Sequence, residues 1–236
     1  MQLPIQMICS RRVLPASILI LCLLLFFGFD TGSAGASEGR AEAQKQKRVI
    51  VAGDCGADVA NLRDELAAAE LMPESSGRCF GPVAQIAWSA WERWSRAKSD
   101  GRVSLSERAE LKKAQIPKLI RRPGKPETRI EIWRGRQLLA LVRKSRLVSL
   151  YAISSGKSGY TTPSGQFSIF RKEEMSWSNP YSVWMPWASY FNGGIAFHQS
   201  DDVPDYPASH GCVRVPAAWA ERVYRFADFG RSVLVL

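Results

Sequence analysis

The spacing of apolar residues changes near residue 128. Before it they recur every three or four positions; after it they tend to alternate. In Val59–Leu71, apolar Val59, Leu62, Leu66 and Ala69 share one face with charges between them. That spacing predicts a helix ended by Met72-Pro73. Val83–Arg96 predicts a second helix, and Ser106–Ile116 a third, with Ser106 as N-cap and Pro117 as the stop. From Thr128 the period is two. Thr128–Trp133, Gln137–Arg143 and Arg146–Ser154 read as strands joined by short turns, the first at Arg134-Gly135-Arg136. Gln166–Phe170, Tyr181–Pro186 and Gly194–His198 are further strands. Pro216–Phe229 predicts a helix with Pro in its first turn, Gly230 past its end, and Trp219, Val223 and Phe226 on one face. Ser232–Leu236 closes as a strand. The expected architecture is a mainly β sandwich or barrel with a short helix over 128–236, preceded by a small α-helical domain over 49–116. The Pro-rich, basic stretch 117–127 marks the boundary.

The start of the chain follows neither rhythm. Arg11 and Arg12 precede a nearly unbroken apolar run, Val13–Phe29, and then Ala34-Gly35-Ala36, which fits a cleavage site. Residues 1–36 therefore read as an export signal, and polar residues 37–48 as a linker. Export places the protein in the periplasm or cell envelope. The formal net charge is +10; without residues 1–36, which hold Arg11, Arg12 and Asp30, it is +9. So basic a protein favours anionic partners. After export nucleic acid is excluded, and peripheral contact with an anionic wall or membrane face is expected.

Two features before residue 117 invite functional readings. Trp88, Trp91 and Trp94 form a stripe at helical spacing. It can be a core face or a platform that stacks on sugars, and the spacing favours the core. Asp100-Gly101 through Glu107 resembles half of a calcium loop, but Arg96 and Lys98 stand where the first oxygen ligands belong. Cations there exclude calcium, so a Gly turn and a capped helix are expected.

Cysteine count brings the chemistry into view. Cys9 and Cys22 leave with the signal, so Cys55, Cys79 and Cys212 remain in an oxidising compartment. Cys55 and Cys79 can pair, closing a loop for roughly 3–4 kcal/mol of stabilisation. Cys212 is left as an odd thiol. The chain has two histidines, His198 and His210, both shortly before it. A thiol nucleophile needs a base, because the thiolate attacks. In an extended segment His210 would project beside Cys212, whereas His198 must be brought in by the fold. Gly211 lets the backbone turn closely, so nearby amides can face an oxyanion. Arg214 is placed to hold a carboxylate. The spacing of His198, His210 and Cys212 fits no familiar zinc site, so no metal is expected.

Gly156-Lys157-Ser158-Gly159-Tyr160-Thr161-Thr162-Pro163-Ser164-Gly165-Gln166-Phe167 resembles a signature of the L,D-transpeptidase (YkuD-type) catalytic domain family. Met185-Pro186-Trp187, Gly193 to His198, and Tyr206 to Pro216 with its Ser209-His210-Gly211-Cys212-Val213-Arg214 core resemble the remaining signatures in order. The likeness covers 128–236. It implies a mostly β sandwich and an enzyme acting on peptidoglycan stem peptides. It also implies no metal or organic cofactor, and acylation by carbapenems. Carried over, Cys212 is the nucleophile and His198 the general base. Ser209 and His210 support the site, Gly211 and Cys212 lend amides to the oxyanion, and Arg214 positions substrate. The implied reaction cleaves the bond between diaminopimelate and D-alanine through a thioacyl enzyme and passes the acyl group to an amine.

The sequence departs from the family after His198, where Gln199-Ser200 replace the usual Gly-Thr. Both are candidate substrate-binding residues, Ser200 through its hydroxyl, and Gln199 alters the turn that orients His198. The loop that follows carries Asp201, Asp202 and Asp205, which reads as a solvated loop or a lip that attracts an acceptor amine. Two other functions fit the sequence: an L,D-carboxypeptidase or cysteine peptidase of the same fold, and a wall-binding protein without catalysis.

Overall fold

The computed structural model describes residues 49–72, 77–114 and 116–236. The expected signal over 1–36 and linker over 37–48 lie outside the described residues. Three helices come first: α1 (Ala57–Ala68), α2 (Pro82–Ser95) and α3 (Leu105–Lys113). The disulfide Cys55–Cys79 ties the start of α1 to the approach to α2. α1 stops three residues before the expected end. The amides of Glu70 and Leu71 bond back to the carbonyls of Ala67 and Leu66, with Glu70 in the left-handed region at φ 60°. The N-cap of α3 is Ser104, not Ser106. Ser104 Oγ accepts from the Glu107 amide at 3.2 Å, and Glu107 accepts from the Ser104 amide at 3.0 Å. The spacing Ser104-x-x-Glu107 is a capping box, which outweighs a hydroxyl two residues later.

The strands are β1 (Arg129–Trp133), β2 (Leu138–Arg143), β3 (Arg146–Ala152), β4 (Gly165–Ser168), β5 (Arg171–Ser178), β6 (Val183–Asn192), β7 (Ile195–Ser200), β8 (Val213–Pro216) and β9 (Ser232–Val235). One helix, α4 (Ala217–Phe226), lies between β8 and β9. A five-stranded sheet runs β3-β2-β1-β9-β4 and a four-stranded sheet runs β5-β6-β7-β8. Their facing sides form one core: Ile130, Ile132, Leu139, Leu141, Val233 and Val235 from the first, Phe191, Phe197, Val213 and Val215 from the second, with Trp219 and Val223 of α4.

The five-stranded sheet also buries its other side. Leu138, Ala140, Val142, Leu147 and Leu150 share a core with Leu62, Leu66, Trp88, Trp91 and Leu111 of the helices. β2 is therefore buried at Leu138 through Val142 without alternation. Trp88 and Trp91 belong to this core, while Trp94 is half-buried at its rim. α2 is also pinned by a buried cation. Arg93 donates to the carbonyls of Gln137 (3.0 Å), Ile153 (2.6 Å) and Val203 (3.3 Å). The stretch 117–127 is stitched to the sheet. Buried Arg129 donates to the Ile120 and Pro126 carbonyls, and buried Glu131 accepts from Arg129, Arg122 and Trp133.

The sequence pattern does not predict two of the strands, and one runs further than expected. β5 carries Arg171, Lys172, Glu173 and Glu174 and is mostly exposed, so it has little apolar signal. β8 is four residues long and lies inside the cysteine motif. β6 continues past Pro186. At Pro186 it pairs only with β5, and its pairing with β7 starts at Ser189. Proline lacks an N–H, so it is tolerated where the strand has one open side.

Candidate active site

The site is built on the parallel pair β7 and β8. His198 stands opposite Arg214 in the register, and Phe197 opposite Val213. Successive side chains on a strand point to opposite faces. Phe197, Val213 and Val215 enter the sandwich core, so His198, Arg214 and Cys212 belong to the other face. On that face Cys212 packs against a small cluster of Met185, Ala188, Tyr190 and Ala196. The parallel register thus sets His198 diagonally next to Cys212 on the side of the sheet turned away from the sandwich core.

The polar surroundings fix the state of both groups. His198 Nδ1 lies 2.7 Å from the Gln199 carbonyl, which makes Nδ1 the protonated nitrogen and leaves Nε2 as the basic one. Burial lowers the His198 pKa below the ordinary 6.5; the bond to Gln199 opposes this and the Arg214 cation adds to it. Burial pushes the Cys212 thiol above its ordinary 9.0, against a bond from the Ala196 amide and the charge of Arg214. The resting pair is thus a neutral imidazole beside a neutral thiol, whose Sγ–H points to the Gly194 carbonyl at 3.7 Å. A neutral pair of this kind can pass a proton from thiol to imidazole as a carbonyl is attacked.

The turn before Cys212 is held by a short chain of bonds. Ser209 Oγ donates to the Cys212 carbonyl and accepts from the Gly211 amide, the latter at 3.1 Å. Thr162 Oγ donates to the Gly211 carbonyl at 2.7 Å and accepts from the Gly156 amide at 2.9 Å. Gly211 sits at φ 111°, open only to glycine without strain. At Gly156 a Cβ would fall 2.0 Å from the Tyr160 carbonyl oxygen of its own loop and 2.9 Å from Gly211 Cα, so this loop and the one before Cys212 touch backbone to backbone. Ser154 exchanges both backbone bonds with Arg214, which caps the free edge of β8.

This arrangement can be set beside known proteins. Residues 127–235 match the family model of YkuD, the L,D-transpeptidase catalytic domain. Residues 127–235 are a YkuD domain. An L,D-transpeptidase structure from Xylanimonas cellulosilytica DSM 15894 is similar, with a TM-score of 0.72 at 27% identity, over 80% of this chain and 98% of that one. An L,D-transpeptidase from Stackebrandtia nassauensis has a TM-score of 0.50 at 23% identity, over 80% and 97% of the two chains, and shares the fold. Both likenesses cover more of the chain than 127–235 can supply, so they extend into the residues before the YkuD domain. No curated protein matches in sequence.

Within the YkuD domain the remaining candidate residues take positions the sequence could not give. His210 does not project from an extended segment. The backbone bends there, and its exposed ring lies against Tyr181 (4.6 Å between centroids, stacked) and Tyr160 (4.8 Å, edge-on). The Gly211 amide, expected to face an oxyanion, is already committed to Ser209 Oγ. Arg214 is paired through Nη1 with Asp202 at 2.6 Å. Gln199 orients His198 through its backbone carbonyl, a group any residue supplies, which is why the departure from Gly-Thr leaves the histidine oriented. Ser200 Oγ accepts from the Asp202 amide and donates to its carbonyl, holding the acidic loop in a turn. Sequence reasoning missed Thr162, Tyr160, Tyr181 and Arg93. Thr162 lies in the quoted Gly156–Phe167 signature, and Tyr181 is the exposed aromatic of the turn between β5 and β6. Among the described residues no three His, Cys, Asp or Glu side chains are grouped to hold a metal.

Proposed function

We propose that the protein is an exported peptidoglycan L,D-transpeptidase with Cys212 as nucleophile and His198 as general base. The observation that carries this is the register of β7 and β8. It sets a thiol and an imidazole with a basic Nε2 on the sheet face turned away from the sandwich core. His198 Nε2 takes the Sγ proton as Sγ bonds to the diaminopimelate carbonyl carbon that carries the D-alanine nitrogen. The oxyanion collapses, the C–N bond breaks, and D-alanine leaves with the proton returned by His198. An acceptor amine then attacks the thioacyl carbon, gives its proton to His198, and the thiol is restored. Arg214, released from Asp202, holds a carboxylate of the stem. Ser209, with Thr162, fixes the backbone turn that presents the thiol. The charge run and apolar stretch within 1–36 support export to the cell envelope, where the basic surface meets the anionic wall.

The test is incubation with purified tetrapeptide muropeptides, read by mass spectrometry. A dimer lacking one D-alanine is expected, together with a carbapenem adduct, and both are lost in Cys212→Ala. A tripeptide alone would assign carboxypeptidase action, because water then takes the thioacyl. Unchanged products from Cys212→Ala would overturn the assignment.

A further inference from the structure

Below the rim where Trp94 emerges, a pocket of about 590 Å³ opens between the end of α2, the stretch 117–122 and the turn 134–136. Its walls include Trp94, Trp133, Arg96, Arg121, Arg122 and Arg136. The two indoles lie 5.6 Å apart, and the Arg136 guanidinium lies over the Trp94 ring at 4.9 Å. Trp133 Nε1 is already bonded to Glu131, so what the ring offers the pocket is apolar surface. Arg122 is paired with Glu131, whereas Arg96, Arg121 and Arg136 have no carboxylate partner among the described residues. Like charges gathered around a concave, aromatic surface repel one another, and an anion placed among them relieves that repulsion. Sugar rings present C–H faces that pack on aromatic rings, and a pendant carboxylate suits guanidinium geometry.

We propose that this pocket binds an anionic saccharide, with rings against Trp94 and Trp133 and the acidic group between Arg96 and Arg121. The ligand class rests on the wall-polymer reading above. The same turn reaches the site: Arg134 donates to the Thr162 carbonyl at 3.0 Å and to Ser164 Oγ, and Thr162 holds Gly211. A glycan in the pocket thus lies against the turn that braces the loop before Cys212. The stripe of three tryptophans divides accordingly, two in the core and the third at a binding surface.

The test titrates the full-length protein with three probes: N-acetylglucosaminyl-N-acetylmuramic acid with its free carboxylate, neutral N,N′-diacetylchitobiose, and acetate. Binding is read by the indole N–H signals of Trp94 and Trp133 and by calorimetry. The acidic disaccharide should bind with a Kd of roughly 1 mM or tighter, at least fivefold tighter than either other probe, and more weakly as salt rises. Arg96→Ala and Arg121→Ala, both at exposed positions, should weaken it at least fivefold. Their melting temperatures and the rate of carbapenem acylation should stay unchanged. Equal binding of the neutral disaccharide would make the pocket a plain apolar cleft, and equal binding of acetate would make it a bare cation patch; either overturns the proposal. So does absence of binding, or binding indifferent to both substitutions. Because acylation is read in the same samples, failure here is separate from failure of the catalytic assignment.

Discussion

The two sheets of the molecule are used differently. The five-stranded sheet is buried on both faces, against the second sheet on one side and three helices on the other. The four-stranded sheet gives one face to the core and keeps the other for Cys212, His198 and Arg214. A residue on a doubly covered strand is fixed by packing, so its face cannot admit a substrate. A residue on a half-covered strand can meet solvent, while its neighbours one position away still anchor the strand. The difference explains why the candidate chemistry lies on β7 and β8 rather than on β1 or β2. The helices reach that half-covered side through Arg93, which joins α2 to the Val203 carbonyl next to Asp202.

The largest effect expected from this comparison is kinetic. On the proposed assignment, His198→Gln should slow acylation of Cys212 by about 10²–10⁴ while the melting temperature hardly moves, because His198 belongs to none of the apolar clusters. The pH profile sharpens the point. The His198 pKa lies below 6.5, so more than half of the base is unprotonated at that pH, and the midpoint of the acid loss of acylation should fall below 6.5. That acid limb should vanish in the variant. With the thiol pKa above 9.0, simple alkylation of Cys212 should accelerate as pH rises past 9. An acid limb above 6.5 would contradict a base desolvated by burial.

Next in size is packing. Leu138 and Leu139 are adjacent and point to opposite sides of β2, into different cores. Leu138→Ala and Leu139→Ala should each cost about 2–5 kcal/mol in denaturant melts. A loss under about 1 kcal/mol for Leu138→Ala alone would mean that the helices do not close the outer face.

The smallest effect concerns the helical side. Glu92 is 1% exposed, and burial raises its carboxyl to about 7, against bonds from the Gly101 and Asp100 amides. A group raised on folding contributes full stability below its unfolded value of 4.5 and loses it as pH rises through the folded value. Stability should therefore fall between pH 4.5 and 7. Glu92→Gln keeps the accepting oxygen and removes the charge. It should flatten that slope and add roughly 1–3 kcal/mol at pH 8, measured by thermal melts across pH. A variant that keeps the slope would assign it to other groups.

Much of this molecule was legible from residue order. Three helices, the strands with alternating or wholly apolar runs, and α4 follow from local spacing. The likeness to a transpeptidase domain followed from the Gly156–Phe167 stretch and the Ser209–Arg214 core. What stayed hidden was hidden for identifiable reasons. β5 is charged and exposed, so only its partner β6 makes it a strand. Pro186 looks like a stop until the one-sided pairing of β6 is seen. Ser106 fits an N-cap by residue type as well as Ser104 does, and only the Glu107 contact separates them. Leu138-Leu139-Ala140-Leu141-Val142 departs from strict alternation, and that was the one sequence sign that the helices pack directly on the sheet.

By itself, then, the sequence determined which residues can do chemistry: one thiol left over from a possible disulfide, two imidazoles near it, and an arginine two places on. Tertiary structure decided which of them meet. Parallel pairing of β7 with β8 puts His198 next to Cys212, since register, not sequence distance, sets who is opposite whom. The bend at Gly211 turns His210 away to Tyr160 and Tyr181, because a residue at φ 111° breaks the alternation that would have kept it beside the thiol. Pairing with Asp202 decides what Arg214 holds in the absence of substrate, a contact made across a loop whose path no local rule predicts.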